Sequence, residues 1–522
     1  VLFRSDDITR KEDRNQFPVM GKYWPSSAVA KDVSTSQWGT AVALAESPVK
    51  KGLIYVGTDD GLIQITNDDG ETWVKVSEFP EVPEYTYVSD ILPSQYDENV
   101  VYATFNNIKS DDFTPYVLRS DDQGKTWVSI ASDLPKNEAV HTIAQDPVEQ
   151  NLLFVGTEMG FYFTVNGGVQ WIKLGSGLPD IAVRDIAIQE REKDLVIATF
   201  GRGFYILDDY SSLRDVTEEV IENSNAIIFP IKNAKMFIKS GNGRYGTGSG
   251  YYQAQNPDFG AVFTYYLKDV PKSLKSQRLK KEKKLFKDGE PIPQPSKKIM
   301  DAENNEKGPY LIFTIRDNNG DIIKKIHKKA SKGISRFTWD MRYNSVSPVR
   351  LKNNKFDPMN TGSKSLRALP GKYTVSMEMY HNGQVEELAG PVEFNTVVLE
   401  NTSLPDPDPI ASQEFYKRVS ELRRVMTATM KYREELSTKT AYIQQALQNM
   451  VEPPAEMQGE MYEISSELDS IAFLFVGTPS KASWEEVPPE TMPLSNRLGQ
   501  LYGSPGVLHQ HPQKARILTI IY

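Results

Sequence analysis

The chain has 522 residues and 39% hydrophobic content, which is enough for two or three globular domains. A formal charge of -9 and a pI near 5.4 argue against a protein that wraps nucleic acid or an anionic membrane, because both need clustered positive charge. The lack of cysteine excludes disulfides, thiolate nucleophiles and cysteine-based zinc sites. No apolar run reaches the roughly 20 residues of a membrane-spanning helix, so we expect no membrane insertion.

The N-terminal part of the chain is repetitive. A β-rich run that ends in a small residue followed by threonine occurs four times, as LIYVGTDDG, VVYATFNN, LLFVGTEMG and LVIATFGRG. The copies are about 40 to 55 residues apart, which is typical of propeller blades. Each unit predicts short antiparallel strands with turns between them. We therefore predict a mainly β fold with four propeller blades in residues 1–215, completed by missing blades from the same or another chain.

A second motif opens the turn between the third and fourth strands of three blades. Its copies are TNDDGETW (66–73), SDDQGKTW (120–127) and TVNGGVQW (164–171). We expect the acid or amide to accept backbone N–H bonds, the glycine to adopt a positive φ, and the tryptophan to pack between blades. The residues with this structural role are Asp68, Gly70, Trp73, Asp122, Gly124, Trp127, Asn166, Gly168 and Trp171. A helix-loop-helix calcium loop does not fit, because its first ligand would be Ile65 or Arg119.

Strand alternation places these turns at the end of the blades opposite the loops between second and third strands. A ligand is therefore expected at the other end, where those loops meet the starts of the innermost strands. The residues at that end are Asp59, Asp60, Asn106, Asn107, Glu158 and Arg202 in the loops, and Asp90, His141, Arg184 and Asp185 on the innermost strands.

The three turn motifs resemble the Asp-box, or bacterial neuraminidase, repeat of sialidases, sortilin-type receptors and xyloglucan-cleaving propellers. The stretches GTDDGLIQITNDDGETW and ATFGRGFYILDDYSSLR are similar to large sortilin-like or glycosyl-hydrolase-like bacterial repeat proteins. This resemblance implies a β-propeller. It leaves activity open, because the group contains both hydrolases and pure binding proteins.

The resemblance suggests two kinds of catalytic site. A sialidase-like site needs three arginines around a carboxylate, and two, Arg184 and Arg202, are placed for this. A xyloglucanase-like site needs two carboxylates that face each other across a cleft. The catalytic candidates are Asp59, Asp90, Glu158 and Asp185, with solvated loop acids or strand caps as the alternative. The ligand-binding candidates are Asp60, Asn106, His141, Arg184 and Arg202; His141 is a general base or a hydrogen-bonded structural residue.

Residues 216–400 predict an Ig-like β-sandwich after a bridge at 216–260. Alternating strands are joined by Asn319-Gly320 and Asn382-Gly383, which are tight hairpin signals. The stretch LPGKYTV resembles the last hairpin of Ig-like modules on secreted bacterial proteins. A basic insertion near 270–300 predicts a solvated helix, with a nucleic-acid or lipid patch as the alternative.

Residues 401–522 begin with the proline-rich stretch TSLPDPDPIAS, which predicts a linker. Apolar residues then recur at helical spacing before and after a Pro-Pro break, which predicts two antiparallel helices forming a hairpin with an extended tail. His509 and His511 in the tail lack the acidic or cysteine neighbours that a metal site needs, so we expect no metal and no cofactor.

The main hypothesis is a non-catalytic protein, secreted or in the bacterial envelope, that binds a protein, peptide or glycan. The first alternative is a glycoside hydrolase, sialidase- or xyloglucanase-like, that uses carboxylates at the loop end of the blades. The second alternative is a structural subunit of a surface assembly. The first residues, VLFRSDDITRK, lack the apolar core of a signal peptide, and we expect a truncated N-terminus because the chain starts within a repeat.

Overall fold

A computed structural model describes residues 7–18, 21–29, 39–237, 256–346, 348, 359, 365–399, 408–478 and 490–503. The chain divides into two compact units, Val1–Ser224 and Asn225–Tyr522. The first unit is built of strands, whereas the second contains strands and long helices. The fold as a whole is mainly β.

The first unit contains a 3-10 helix at Arg14–Gln16 followed by fifteen strands. In chain order the strands are β1 Ala41–Glu46, β2 Ile54–Thr58, β3 Ile63–Thr66, β4 Val74–Val76, β5 Tyr87–Pro93, β6 Val101–Asn107, β7 Asp112–Ser120, β8 Val128–Ser129, β9 Val140–Gln145, β10 Leu153–Thr157, β11 Gly160–Thr164, β12 Ile172–Lys173, β13 Val183–Gln189, β14 Asp194–Thr199 and β15 Gly203–Leu207.

These strands form four small antiparallel sheets, each from consecutive strands. Blades 1, 2 and 3 are the four-stranded sheets β1-β2-β3-β4, β5-β6-β7-β8 and β9-β10-β11-β12. Blade 4 is β13-β14-β15, with three strands in the described chain rather than the four that the repeat predicts. The first strands of successive blades contact one another, so they are the innermost strands. Sheets that pack face to face in this order are propeller blades.

Apolar side chains fill the space between successive blades. Blades 1 and 2 share a cluster that includes Tyr55 and Phe105, and blades 2 and 3 share one that includes Tyr102 and Val155. A third cluster between blades 3 and 4 contains Phe154. Burying one such side chain contributes roughly 1.5 to 3 kcal/mol, so these clusters are the main source of stability in the unit.

The turn between the third and fourth strands has the hydrogen bonds that the sequence predicts. In blade 2, Asp122 Oδ1 accepts from the Thr126 amide at 2.8 Å and from the Ser120 hydroxyl at 2.8 Å, and the Gly124 amide donates to Ser120 Oγ. Gly124 has φ +87°. Asp68 makes the equivalent bonds in blade 1, and hydrogen bonds from Thr72 and Thr66 hold its pKa at about 2. These acids are structural.

Asn166 completes the same turn in blade 3. Its Oδ1 accepts from the Gln170 amide at 3.0 Å, and the Gly168 amide donates to Thr164 Oγ1. Gly70 and Gly168 have φ +93° and +96°. An amide oxygen therefore replaces the carboxylate without changing the turn.

Two of the motif tryptophans pack between blades as predicted. Trp127 is buried in the cluster between blades 1 and 2, and Trp171 in the cluster between blades 2 and 3. The indole of Trp127 donates to the Gly124 carbonyl at 3.0 Å, whereas that of Trp171 donates to the Ile130 carbonyl of the preceding blade at 2.9 Å. Trp73 is only half-buried.

The second unit has two sheets, β16-β18-β21 and β17-β23-β22-β19-β20. The strands are β16 Ala226–Ile228, β17 Ala234–Met236, β18 Ala261–Leu267, β19 Tyr310–Asp317, β20 Ile322–Lys329, β21 Gly333–Trp339, β22 Gly371–His381 and β23 Gln384–Val398. Strands β16 and β17 lie within residues 216–260, so the prediction that this stretch is only a bridge is wrong. Both sheets contribute to one apolar cluster, which includes Phe263 and Phe313. The assignment to the Ig-like class stays a prediction.

Both hairpin signals are confirmed. Residues 318–321 join β19 to β20, with Gly320 at φ +85°, and Asn382 and Gly383 join β22 to β23 with φ +50° and +87°. Positive φ at both central residues is what a type I′ turn requires.

Six α-helices complete the described chain: α1 Glu218–Asn223, α2 Leu274–Lys287, α3 Lys297–Asn305, α4 Pro409–Gln448, α5 Ala455–Val476 and α6 Leu494–Gly503. The basic insertion forms α2, a largely exposed helix, and α3 was not predicted. Helices α4 and α5 contact each other, as the predicted hairpin requires. Most of the proline-rich linker and both tail histidines lie outside the described residues, while Pro409 already belongs to α4.

Replacing Asp122 by alanine tests the structural role of the turn. The change removes the acceptor of the Thr126 amide, so we expect the free energy of unfolding to fall by about 1 kcal/mol, a typical cost for losing a capping side chain. Asp122→Asn, which imitates Asn166, should lose less. Urea unfolding followed by tryptophan fluorescence measures both, with exposed Lys125→Ala as the control. An alanine variant as stable as the wild type would contradict the assignment.

Candidate functional site

The two ends of each blade are distinguished by backbone hydrogen bonds. We call one end of a blade the box end: there the turn between the third and fourth strands meets the turn between the first and second strands. In blade 3, for example, the Gly167 amide donates to the Asn151 carbonyl. At the loop end, the loop between second and third strands meets the start of the innermost strand. There the Asp59, Glu158 and Phe200 amides donate to the carbonyls of the residues that precede β1, β9 and β13. The predicted ligand-site residues therefore lie away from the box turns.

Every innermost strand has a β-bulge near its start at the loop end. The pairing skips one residue in each blade, between Ala41 and Ala43, Val88 and Asp90, Val140 and Thr142, and Val183 and Asp185. The skipped residues are Val42, Ser89, His141 and Arg184. A bulge turns a side chain out of the regular alternation, and bulges are common beside functional sites. His141 and Arg184 are thus equivalent residues of neighbouring blades.

A second set of equivalent residues faces the bulges from the loops. In the second strand, the residue that follows the partner of the residue before the bulge is Asp59 in blade 1, Asn106 in blade 2, Glu158 in blade 3 and Phe200 in blade 4; Asn106 is itself still paired, with Tyr87. Each blade therefore offers one bulge residue and one loop residue at the loop end. The composition of these pairs differs from blade to blade.

Blades 3 and 4 bring their two pairs together into one cluster, which we call the Arg184 cluster: His141, Glu158, Arg184 and Phe200. Arg184 Nη1 donates to His141 Nδ1 at 3.1 Å, and Nη2 lies 3.4 Å from Glu158 Oε2. His141 Nε2 lies 2.7 Å from the same carboxylate oxygen. The guanidinium carbon of Arg184 is 5.4 Å from the centre of the Phe200 ring, a cation–π contact.

These contacts define the protonation of His141. Arginine can only donate, so Nδ1 accepts and the proton of the neutral ring is on Nε2, where it donates to Glu158. Burial lowers the pKa of His141 below its usual value, and the charge of Arg184 lowers it further, against the opposing effect of Glu158. Both ring nitrogens are occupied, so His141 supports its neighbours and is not a free general base.

The outer part of the cluster is open to solvent. The Arg184 side chain is 42% exposed and Phe200 is 70% exposed. Arg202, in the same loop as Phe200, is also exposed. A large exposed aromatic ring beside a cation is a composition typical of binding surfaces.

Asp59 and Asp60, predicted as a catalytic and a ligand-binding candidate, both make hydrogen bonds within the N-terminal part of the chain. Asp59 Oδ1 accepts from the Gly39 and Thr40 amides at 2.8 and 2.7 Å, so it caps the start of the innermost strand. Asp60 is buried, and its carboxylate accepts from the Thr58 hydroxyl and from the Arg10 amide.

Asp90 and Asp185 follow the bulges of blades 2 and 4. Asp90 Oδ2 accepts from the Thr142 hydroxyl at 2.9 Å and the Ile143 amide at 3.0 Å. Burial raises the pKa of Asp90 above its usual value, and the charge of Asp185 adds to the rise, while the hydrogen bonds oppose it. Asp185 itself is exposed. A carboxyl with a raised pKa near an exposed carboxylate is the composition of a glycosidase acid and base pair.

The remaining candidates contribute less. Asn106 holds the loop position of blade 2 and is half-buried, and Asn107 donates to Asp112 Oδ2 at 3.1 Å. Phe200 was not among the predicted site residues, which are all charged or polar. Aligning the loops after Thr58, Thr157 and Thr199 places Phe200 at the position equivalent to Asp59 and Glu158.

The described residues contain neither a membrane-spanning helix nor a cluster that could hold a metal ion. No described helix is long and apolar enough to cross a membrane. Within the same ranges, no group of three or more His, Asp or Glu side chains has the arrangement of a metal site.

Similarity to known proteins is confined to part of the chain. No protein-family model matches it. Over 140 residues it is 29% identical to a xyloglucanase of Acetivibrio thermocellus, and the match covers 24% of this chain and 16% of that enzyme. The chain thus spans less than a fifth of the length of this curated relative.

Solved structures give distant similarities. A GH74 enzyme of Niastella koreensis has 19% identity and a TM-score of 0.28, with 32% of this chain and 28% of that one covered. YCF48 bound to the D1 peptide has 14% identity and a TM-score of 0.26, with 33% and 52% covered. Since both TM-scores are below 0.5, the assignment of propeller blades rests on the sheets of this chain.

The protonation of His141 can be measured directly. NMR of the imidazole nitrogens should show the Nε2–H form at pH 7 and a titration midpoint below 6.5, because burial and Arg184 disfavour the charged ring. Since the folded pKa is lowered, the stability that His141 contributes is present above pH 6.5 and is lost as the pH falls through the folded pKa. Arg184→Gln should move the midpoint upward. A midpoint above 6.5 in the wild type would contradict the assigned contacts.

Proposed function

We propose that the first unit binds a glycan at the loop end of its blades, with Arg184 and Phe200 as the contacting side chains. The observation that carries this proposal is the exposed Phe200 ring beside an arginine held by buried His141 and by Glu158. A side chain already fixed by its neighbours loses less conformational entropy when a ligand binds. The flat ring offers a surface for the C–H face of a sugar, and the guanidinium offers donors to hydroxyl groups.

The choice of a glycan rests on the partial similarity to a xyloglucanase. Because the match covers a small part of that enzyme, its substrate is a guide to the class of ligand. A peptide or protein ligand is the competing possibility within the binding hypothesis. We further propose that the protein belongs with the Asp-box repeat proteins, carries an Ig-like module in its second unit, and acts outside the cell or in the bacterial envelope.

Binding is tested by calorimetric titration of the full chain with neutral xyloglucan oligosaccharides. We expect Arg184→Ala and Phe200→Ala each to raise Kd at least tenfold, which corresponds to about 1.4 kcal/mol. Arg202→Ala should have a smaller effect, because that exposed side chain lies outside the Arg184 cluster. Arg191→Ala, an exposed arginine at the box end of the same blade, is the matched control.

Two results would contradict this proposal. The first is an absence of binding to the wild type. The second is a Kd that the Arg184 and Phe200 variants leave unchanged, which would move the ligand to another part of the chain.

A second candidate function is glycoside hydrolysis, which the Asp90 and Asp185 pair favours. In this mechanism Asp90, with its raised pKa, donates a proton to the leaving oxygen, and the Asp185 carboxylate takes a proton from a water molecule that attacks the anomeric carbon from the other side of the bond. Glu158 is less suited to catalysis because it is hydrogen-bonded to His141 and Arg184.

Hydrolysis is tested by the release of reducing ends from xyloglucan. If the pair is catalytic, Asp90→Asn and Asp185→Asn should each reduce the rate at least a hundredfold, while circular dichroism and the affinity for oligosaccharides stay unchanged. Glu149→Gln at the box end is the control. A wild-type chain that releases no reducing ends, or variants as active as the wild type, would rule out this candidate.

A further inference from the structure

Blade 4 exposes one face of its sheet. Four apolar residues of three neighbouring strands share this face: Ala187, Val196, Phe204 and Ile206. Phe204 is 74% exposed and Ile206 is 61% exposed. Two large apolar side chains that point to solvent from alternate positions of one strand, and therefore from the same face, are unusual and indicate an interaction surface.

The strand register relates this face to buried positions in the preceding blade. In blade 3 the equivalent residues are Ala144, Phe154, Phe161 and Phe163. These four pack against blade 4, and Phe161 and Phe163 are 0% and 6% exposed. The residues equivalent to Phe204 and Ile206 are therefore parts of a blade–blade interface.

Blade 1 follows the same pattern, whereas blade 2 departs from it at one position, where Arg119 is equivalent to Ile206. The equivalent residues of blade 1 are Ala45, Tyr55, Ile63 and Ile65. All four belong to the cluster that blade 1 shares with blade 2. The exposed face of blade 4 thus repeats an interface that the chain already forms elsewhere, with the same positions and the same apolar character.

The opposite face of each blade, which packs against the preceding blade, is also repeated. Blade 4 presents Val183, Ile186, Leu195 and Ile197 to blade 3, and blade 3 presents Val140, Ile143, Leu153 and Val155 to blade 2. In blade 1 the equivalent positions hold Ala41, Leu44, Ile54 and Val56. Leu44 is 75% exposed, whereas its equivalents Ile143 and Ile186 are 3% and 8% exposed.

We propose that the exposed face of blade 4 docks against blade 1 of a second copy of this chain. A second copy is the partner for which both surfaces are present in one molecule, since blade 1 has apolar residues where a docking blade needs them. Two copies contribute eight blades, within the usual range of about four to eight for a propeller. Reciprocal contacts between two such copies form a closed dimer.

The described N-terminal stretch limits which part of blade 1 takes part. Gln64 Nε2 donates to the Ile8 carbonyl at 2.7 Å, and the Arg10 amide donates to Asp60, so residues 7–18 lie against β3 and its loop. Val56 is buried there. The contact with the second copy therefore centres on β1 and Leu44, which this stretch leaves open.

Sedimentation velocity of the full chain over a range of concentrations tests the proposal. We expect a dimer whose dissociation constant increases at least a hundredfold in Ile206→Asp and, separately, in Leu44→Asp, because each places a charge in the contact. Val169→Asp is the matched control, since this exposed valine lies at the box end of blade 3. Both interface residues are exposed in the single chain, so the variants should fold, which circular dichroism can verify.

Disulfide trapping identifies the pair of surfaces. The natural chain has no cysteine, so Leu44→Cys and Ile206→Cys can be introduced in separate chains and mixed. We expect a cross-linked species that contains one chain of each kind and that neither variant forms alone. A wild-type chain that is monomeric at all concentrations would overturn the proposal. A dimer that both aspartate variants retain would also overturn it, because association would then use another surface.

Discussion

The first unit depends on the packing of one blade against the next. The same four positions of a blade face the same four positions of its successor, and the residues there are aliphatic or aromatic except for Arg119 in blade 2. Because apolar burial is the main favourable term in folding, this repeated contact sets the order and spacing of the blades. It also holds the innermost strands side by side, and thereby brings the loop ends of neighbouring blades within hydrogen-bonding distance.

The bulges allow one residue of each innermost strand to vary while the apolar contacts between blades are kept. Apolar residues on both sides of each bulge keep the contact between blades, as Val140 and Ile143 do in blade 3, while the bulged residue lies outside the apolar clusters. Valine, serine, histidine and arginine can then occupy equivalent positions in blades with closely similar cores. The loop position opposite the bulge varies as widely. Differences among these positions can therefore change the ligand site without changing the fold.

The sequence predicts the parts of the molecule that local patterns determine. Turn chemistry around Asp68, Asp122 and Asn166 identifies the blades, and Asn-Gly pairs identify two hairpins, because those conformations depend on a few adjacent residues. The strands β16 and β17 have three residues each, too few for a periodic pattern, and they form by pairing with strands distant in sequence. Local propensity gives no signal for such strands.

The sequence predicts where the candidate site residues lie, but it does not predict the role of each side chain. His141, Glu158 and Arg184, predicted to lie at the loop end of the blades, do meet there, while their role as a ligand site stays a prediction. Which acids are free depends on contacts between residues distant in sequence, which no local pattern encodes. Asp59 is occupied by two backbone amides, and the raised pKa of Asp90 arises from burial against the next blade. The importance of Phe200 becomes visible only once the strand register aligns the loops.

The charge balance of the loop end bears on the kind of glycan. Arg184 is paired with Glu158, and the lowered pKa of His141 keeps its ring neutral at pH 7, so the Arg184 cluster has no strong net charge. A site that selects an acidic sugar needs uncompensated cations close to the carboxylate, since paired arginines have little remaining attraction for an anion. Here Arg184 is already bound on both terminal nitrogens. This arrangement favours a neutral polymer that stacks on Phe200 over the acidic ligand of a sialidase-like site.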